Sequence, residues 1–286
     1  MALYAYRHVI ANERTCYWML HRFHWPTGVI CPRCSNRRIW RMCEKGRNEY
    51  RCQKCRYHFS LLTGTVLQKT QLPLTKWVLA VALFKVGISS HSLARELQVS
   101  QRIAWRMLQV FRRATGQKGL ISKLRGSVEV DETYVGGRHK GHRGRGAAHK
   151  SIVVGFRTRR GKVRTTVVPC LKTKVVRAVL EQHVAQGARL YTDEFRTYGK
   201  VRSWGFRHRR IKHSKCFVRG KTHTQGIEGY WGHLKPTLLA RHRAVSPKYL
   251  SGYLAEAEYK HNTSKEVDFI KEMLLQLLRP VGMSTL

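Results

Sequence analysis

Three carboxylates stand out because acids are scarce: the 286 residues carry 16 Asp and Glu against 55 Lys and Arg. Asp131 lies in the alternating segment VEVDETYVGG, Asp193 closes LYTDE, and Glu228 opens IEGYWGHLK, with 34 residues between the last two. A period of two predicts a strand under Asp131 and another ending at Asp193, while Glu228 falls on a helix. If those strands are neighbours and the helix crosses their ends, the three side chains converge, and such a cluster cannot stay ionised without cations. Two Mg2+ (or Mn2+) ions about 3.5–4 Å apart would neutralise it and clamp the attacking and leaving oxygens of a phosphoryl transfer. Lys235 follows Glu228 by seven residues, so both share a helix face with Trp231 between them, and the lysine can hold a phosphate beside the metals. Glu129, Glu132 and Glu194 read as caps or surface partners.

Of eight cysteines, four form Cys31-Pro-Arg-Cys34 and Cys52-Gln-Lys-Cys55, two CxxC units separated by 17 residues. Each unit offers two thiolates from one tight turn, and two turns complete the tetrahedral set that a single structural Zn2+ accepts, with no position left open for catalysis. The other reading is four unrelated buried thiols. Cys16, Cys43, Cys170 and Cys216 have no spaced partner and read as ordinary core or surface residues; His58, three residues after Cys55, could replace one of the four thiolates but is not preferred over them. Arg37, Arg38, Arg41, Arg47, Arg51 and Arg56 surround this module and suit phosphate contact, although the module could equally dock a protein.

The elements that must position these groups follow from periodicity. Residues 1–24 form a helical leader and 25–60 the zinc ribbon. Residues 61–120 are helical. Within them GISSHSLARELQVSQRIAWRMLQVFRRA holds two short helices around a tight turn, with Ser92 and Ser100 as caps. The second helix would present Gln101, Arg102 and Arg106 to a DNA groove as a helix-turn-helix, the plainer alternative being a helical hairpin. A Gly- and Lys-rich linker, Gly116 to Gly126, marks a boundary. Residues 121–265 then read as three antiparallel strands, a helix capped by Thr173 and ended by Gly187, a strand from Arg189 to Thr192, a short helix near Thr197, a strand near Arg209 to Lys212, and a helix from His223 to Leu234. This is an α/β order, that of an RNase H-like core. The helices near Lys248 to His261 and Glu266 to Leu278 are expected to pack on it, residues 266–286 forming a C-terminal helix.

A formal net charge of +39 makes the compact state repel itself unless a polyanion neutralises it. No acid occurs between Tyr134 and Leu180 or between Phe195 and Ile227, and such blocks suit DNA backbone. The N-terminus lacks a signal-peptide apolar core, and the longest apolar run, Trp77 to Phe84, is too short to span a bilayer. A cytoplasmic, nucleoid-associated protein without a membrane partner is expected.

CPRC with CQKC, FSLLTGTVL, VEVDETYVGG, GRGAAHKSIVVG, YTDE, the KHS at Lys212 to Ser214, and HTQGIEGYWGHLK occur in an order and spacing that resembles the bacterial insertion-sequence transposases related to Merlin elements. The resemblance spans nearly the whole chain. It implies a zinc ribbon, a DDE-type RNase H-like core and movement of DNA bounded by terminal inverted repeats. Asp131 and Asp193 then correspond to the family's two aspartates and Lys235 to its lysine. Some relatives carry an Asn ligand where this chain has Gln225. A neutral amide binds Mg2+ less well than a carboxylate, and Glu228 keeps the seven-residue step to Lys235, so Glu228 is preferred and Gln225 is its rival. His213, His223 and Trp231 would contact DNA, with structural histidines as the alternative. Cleavage and joining become one reaction with two nucleophiles, water or a DNA 3′-hydroxyl. Because two transposon ends are processed together, a homodimer or larger assembly on double-stranded end and target DNA is expected. The rivals are a DNA-binding regulator with an inactive core, and a resolvase or RNase H-type nuclease.

Overall fold

The computed structural model describes residues 6–44, 47–116, 122–136, 150–211, 223–242, 245–263 and 268–280. It divides into two units, residues 1–114 with 266–286, and residues 115–265.

In the first unit, α1 (Arg7–Ala11) leads into α2 (Glu13–His24), whose N-terminus is capped by Asn12 accepting from the Thr15 amide at 3.1 Å. Three short strands, β1 (Ile39–Glu44), β2 (Arg47–Cys52) and β3 (His58–Ser60), form an antiparallel sheet in that order. A buried cluster containing Tyr50 and Phe59, with Trp25 against it, supplies the apolar packing that so small a sheet needs. Next comes α3 (Leu74–Val86), which has no side-chain cap of its own. The Glu13 carboxylate fills that role, accepting from the Leu74 and Thr75 amides at 2.7 and 3.1 Å. Gly87 stops α3 in the left-handed region, at φ +83°, its N–H bonding back to Leu83 and Phe84.

Two helices follow, α4 (Ser90–Leu97) and α5 (Gln101–Thr115), joined by Gln98, Val99 and Ser100, with Gln98 left-handed at φ +49°. Ser100 caps α5 through the Ile103 amide as expected. The cap of α4, however, is Ser89, which accepts from the Ser92 amide; Ser92 sits three residues inside and is the donor side of the motif. Leu93, Leu97, Met107, Leu108 and Phe111 are buried, while Ile103 is exposed with Gln101, Arg102 and Arg106.

The last helix, α9 (Phe269–Leu278; α8 is given below), corrects an expectation. It belongs to this first unit, packing on α2 and α3 rather than on the C-terminal core. The reason lies in α3: LTKWVLAVALFKV is apolar on several faces and must be covered from more than one side, and α9 brings Phe269, Ile270, Met273, Leu274 and Leu277 to do so. Asp268 accepts from the Tyr6 hydroxyl at 2.8 Å and caps α9.

The second unit is a five-stranded sheet in the order β6-β5-β4-β7-β8, from β4 (Ser127–Val135), β5 (Ser151–Thr158), β6 (Val163–Val168), β7 (Arg189–Thr192) and β8 (Arg207–Arg210). The first three are antiparallel neighbours; β7 runs parallel to β4, and β8 parallel to β7. Alternation splits β4 between two cores. Val128 and Val130 join Val154, Phe156 and Leu190 against α6 (Thr173–His183) and the 3-10 helix Arg196–Trp204. On the other face α7 (Gln225–His242) and α8 (Pro247–Thr263) bury Ile227, Tyr230, Trp231, Leu234, Leu250 and Leu254 with Val153 and Val163. Thr173 is the first helical residue of α6, not its cap, and the helix stops at His183, ahead of Gly187. Strand β8 begins two residues earlier than the sequence suggests. Helix α7 runs on through Pro236 to His242, because Leu238 beyond the proline is buried in the same core and helps to offset the lost backbone bond.

Candidate active site and metal centre

Among the described residues, one group of three or more potential metal-ligating side chains has its ligand atoms all within 4.8 Å of one another: Cys31, Cys34, Cys52 and Cys55. Sγ of Cys31 lies 3.6 Å from that of Cys55, and Sγ of Cys34 lies 3.5 Å from that of Cys52. A tetrahedron with Zn–S bonds of about 2.3 Å has sulfur–sulfur edges of roughly 3.8 Å, so the cluster fits zinc. The Asn36 amide is aimed at Cys52 Sγ from 3.7 Å, a second-layer contact that steadies a thiolate. Four sulfurs close the site, which makes it structural. The Cys16 thiol, by contrast, is fully buried and pushed up to about 12 by that burial and by Glu13, so it is inert. Cys216 and the Cys43 side chain lie outside the described residues.

The carboxylates are organised by β4, the central strand. Glu129, Asp131 and Thr133 alternate onto the face covered by α7, and Asp131 pairs across β5 with Gly155. That glycine is what allows Trp231 to lie flat on the sheet, because a Cβ at 155 would stand 2.3 Å from Trp231 Cζ2. From there the Trp231 indole donates to Asp131 Oδ2 at 3.0 Å. Burial pushes the Asp131 carboxyl up to about 7; the charges of Glu132 and Asp193 push the same way, and the bond from Trp231 pulls against them. Trp231 itself is 5% exposed, which corrects its expected place on the DNA surface: its ring is committed to the core and its N–H to Asp131.

Asp193 follows the end of β7. The parallel register pairs Ser127 with Arg189 and Glu129 with Tyr191, and Asp193, one residue past the end of β7, is near enough for its charge to raise Asp131. Its Oδ1 accepts from the Phe195 amide at 2.9 Å, turning the chain out of the strand. Glu228 lies in the first turn of α7, exposed, accepting from the Thr224 hydroxyl at 2.5 Å. Trp231 and Lys235 stand three and seven residues further along the same helical stripe. Burial lowers the Lys235 ammonium from its usual range and Asp131 opposes that fall, which ties the lysine electrostatically to the aspartate. Asp131, Asp193 and Glu228 do not close to within 4.8 Å of one another as the cysteines do. The tight three-way cluster expected from the sequence is therefore not formed, and Glu228 accepts instead from Thr224. Gln225 is the first, exposed residue of α7.

Glu129 is the residue that sequence reasoning placed wrongly. It is not a surface partner but has no exposure at all. Its Oε1 lies 2.5 Å from Arg159 Nη1, and its Oε2 accepts from the Ile227 amide at 2.8 Å in the first turn of α7. Gly226 permits this approach, since a Cβ there would be 2.7 Å from Glu129 Oε2 and 1.9 Å from Arg157 Nη1. Glu129 thus pins the helix that carries Glu228 to the strand that carries Asp131. The signal was available: an acid between Val128 and Val130, in phase with Asp131, shares its buried face. Glu132 points to the opposite face and accepts from the buried Tyr198 hydroxyl at 3.1 Å. Glu194 is exposed. His223 is held rather than presented: the Arg159 guanidinium abuts its ring and donates to its carbonyl at 3.1 Å. His213 lies outside the described residues. On α5, Gln101 donates to Ser90 Oγ at 3.1 Å, while Arg102 and Arg106 are exposed.

Two family models match the chain in order along its length. The transposase zinc-ribbon domain matches residues 11–58, and the ISXO2-like transposase domain matches residues 123–262, which include both aspartates and Glu228. The chain belongs to this transposase family. A protein of Halobacterium salinarum, described as an uncharacterized protein in transposable element ISH50, is 29% identical over 263 residues, covering 85% of this transposase and 88% of that protein. An uncharacterized transposase-like protein of Haemophilus influenzae is 28% identical over 116 residues, 40% of this transposase and 94% of its own length. The transposase's cysteine cluster coincides with the ribbon match. No helix among the described residues is long and apolar enough to cross a membrane.

Proposed function

We propose that this transposase binds terminal inverted repeats and cuts and joins DNA by metal-assisted phosphoryl transfer, with Asp131, Asp193 and Glu228 as the metal-holding carboxylates. The observation that carries the reading is the parallel register of β4 and β7, which, carried two residues beyond the Glu129–Tyr191 pair, would set Asp193 level with Asp131. The strand order and directions support an RNase H-like core. A half-buried carboxyl at about 7, its charge opposed by two neighbouring acids, is the electrostatic setting that a divalent cation relieves. Divalent ions, Mg2+ or Mn2+, would supply the Lewis acid that activates water or a 3′-hydroxyl and steadies the leaving oxygen.

The chain's own groups supply the rest. Trp231 fixes the Asp131 rotamer, Glu129 holds the start of α7 in register, and Lys235 offers its ammonium to the phosphodiester one turn beyond Trp231. Glu228 leaves Thr224 to reach the aspartates; Gln225, on the rim of the same helix, is the alternative ligand. Helices α4 and α5, read as a helix-turn-helix, offer Arg102 and Arg106 to the DNA, and His223 braces Arg159 at the edge of the site. Two ends processed together call for a homodimer or larger assembly on DNA.

The test is a strand-transfer assay with purified protein, duplex carrying the element's own ends, and Mg2+. Asp131→Asn, Asp193→Asn and Glu228→Gln are each expected to abolish nicking and joining while end binding persists, whereas Gln225→Ala keeps activity. Full activity in Asp131→Asn would overturn the assignment, and binding without any metal-dependent nicking in the unaltered protein would point to a regulator.

A further inference from the structure

A cavity of about 320 Å3 lies between α2 and the ribbon sheet. Its walls are aromatic, from Trp18, His21 and Tyr50, with Val29 and Ile39 completing the apolar surface, and Arg37 and Arg41 also line it. No acid lines it. Arg41 is held in position rather than free to swing: its guanidinium sits 4.7 Å over the Trp18 ring and donates to Asn48 Oδ1 at 2.8 Å. Arg37 is exposed. A second observation is independent of shape. Tyr50 is 3% exposed, yet its buried hydroxyl has no hydrogen-bond partner among the described residues. A buried hydroxyl without a partner costs free energy unless something supplies one.

Flat aromatic walls, two guanidiniums and an unpaired hydroxyl suit a planar, hydrogen-bonding ring attached to an anion. The volume is at the small end of ligand pockets, roughly 300–1,000 Å3, which limits the guest to about one nucleotide. We infer that this cavity takes one unpaired nucleotide of DNA, its base against Trp18 and His21 and within reach of the Tyr50 hydroxyl, its phosphate at Arg37 and Arg41. The inference rests on the DNA-binding reading given above and extends it: the ribbon unit would recognise an extruded or single-stranded nucleotide, not only duplex backbone. Base–aromatic stacking tolerates any base, so the site reads strand state more than sequence.

The experiment uses the full-length, zinc-loaded chain and fluorescence anisotropy with a labelled short oligothymidine, an abasic oligomer of equal length, and the element's end duplex as probes. Oligothymidine should bind more tightly than the abasic strand, by roughly 5- to 150-fold for one stacked base. Tyr50→Phe keeps the ring and removes only the hydroxyl, and should narrow that preference several-fold. Trp18→Ala should abolish it, with zinc content unchanged. Equal binding of the two strands by the unaltered protein overturns the pocket while leaving the DNA-binding reading intact, provided the end duplex binds. So does a preference that survives both substitutions. Failure to bind any of the three probes sinks both. Binding of a tyrosine-phosphorylated peptide as tightly as oligothymidine would reassign the cavity to a protein partner and overturn the inference.

Discussion

Gly155→Ala isolates the contact on which the catalytic reading turns. Gly155 lies in ordinary extended backbone in β5, so an alanine meets no torsional penalty and its whole effect is steric. The new methyl would face Trp231 Cζ2 at 2.3 Å, Cη2 at 2.5 Å and Ile227 Cδ1 at 3.0 Å. Carbon pairs settle at about 3.5–4.0 Å, so the indole must retreat by roughly 1 Å, and α7 is packed too tightly on the sheet to move alone. Overpacking of this kind costs about 1–3 kcal/mol. In a unit of this size each kcal/mol moves the midpoint by roughly 2–4 °C, so thermal unfolding followed by circular dichroism should show a fall of about 2–12 °C. The retreat also stretches the bond between Trp231 and Asp131, now 3.0 Å, forfeiting a charge-assisted interaction of about 1.5–3 kcal/mol that orients the carboxylate. End cleavage should therefore fall further than stability does. The control is the same substitution in a Trp231→Leu background, where the smaller side chain leaves room for the methyl and the added cost should drop below about 0.5 kcal/mol. An equal penalty in both backgrounds would refute the reasoning, because the glycine would then be needed for something other than the indole.

Other expectations follow from the same geometry. Glu129→Gln removes the buried charge that Arg159 pairs with; a broken buried pair costs about 3–5 kcal/mol, and the lower end applies because the Arg159 side chain is 28% exposed. Urea unfolding measures it, and an unchanged midpoint would remove Glu129 from the scaffold of the site. Cys52→Ser should reduce bound zinc from one ion per chain to none by elemental analysis and melt the ribbon, since structural zinc contributes on the order of 10 kcal/mol to such modules; retained zinc would argue for other ligands. Burial, reinforced by nearby arginines, pulls His183 and His208 down to about 4 from 6.5. Between those values the unfolded chain binds the protons that the folded chain refuses, so their contribution is whole above pH 6.5 and is lost as pH falls toward 4. Asp131, held up at about 7, acts in the opposite sense, leaving the two histidines to set a net acid loss. A melting series across that range checks this, and His208→Asn, which keeps a side-chain N–H donor for Thr192 Oγ1, 2.9 Å from the His208 ring and itself donating to the Asp193 carbonyl, should flatten it.

Much of this was legible in the residues themselves. Two CxxC units define their own chemistry, because the spacing within each loop decides whether two sulfurs can reach one ion. The strand Arg189–Thr192 and the alternation around Asp131 were equally plain, since a period of two is a local property of a half-buried strand. Sequence separation carries no such information about partners distant along the chain. Only the folded sheet decided that Gly155 stands across from Asp131 and so admits Trp231, that Glu129 is sealed in the core under Ile227 and Arg159, and that α9 covers α3 rather than the sheet. In each case the deciding quantity is the space left by one element for another. A glycine, an acid or an apolar face looks the same in the sequence whether that space is filled or open.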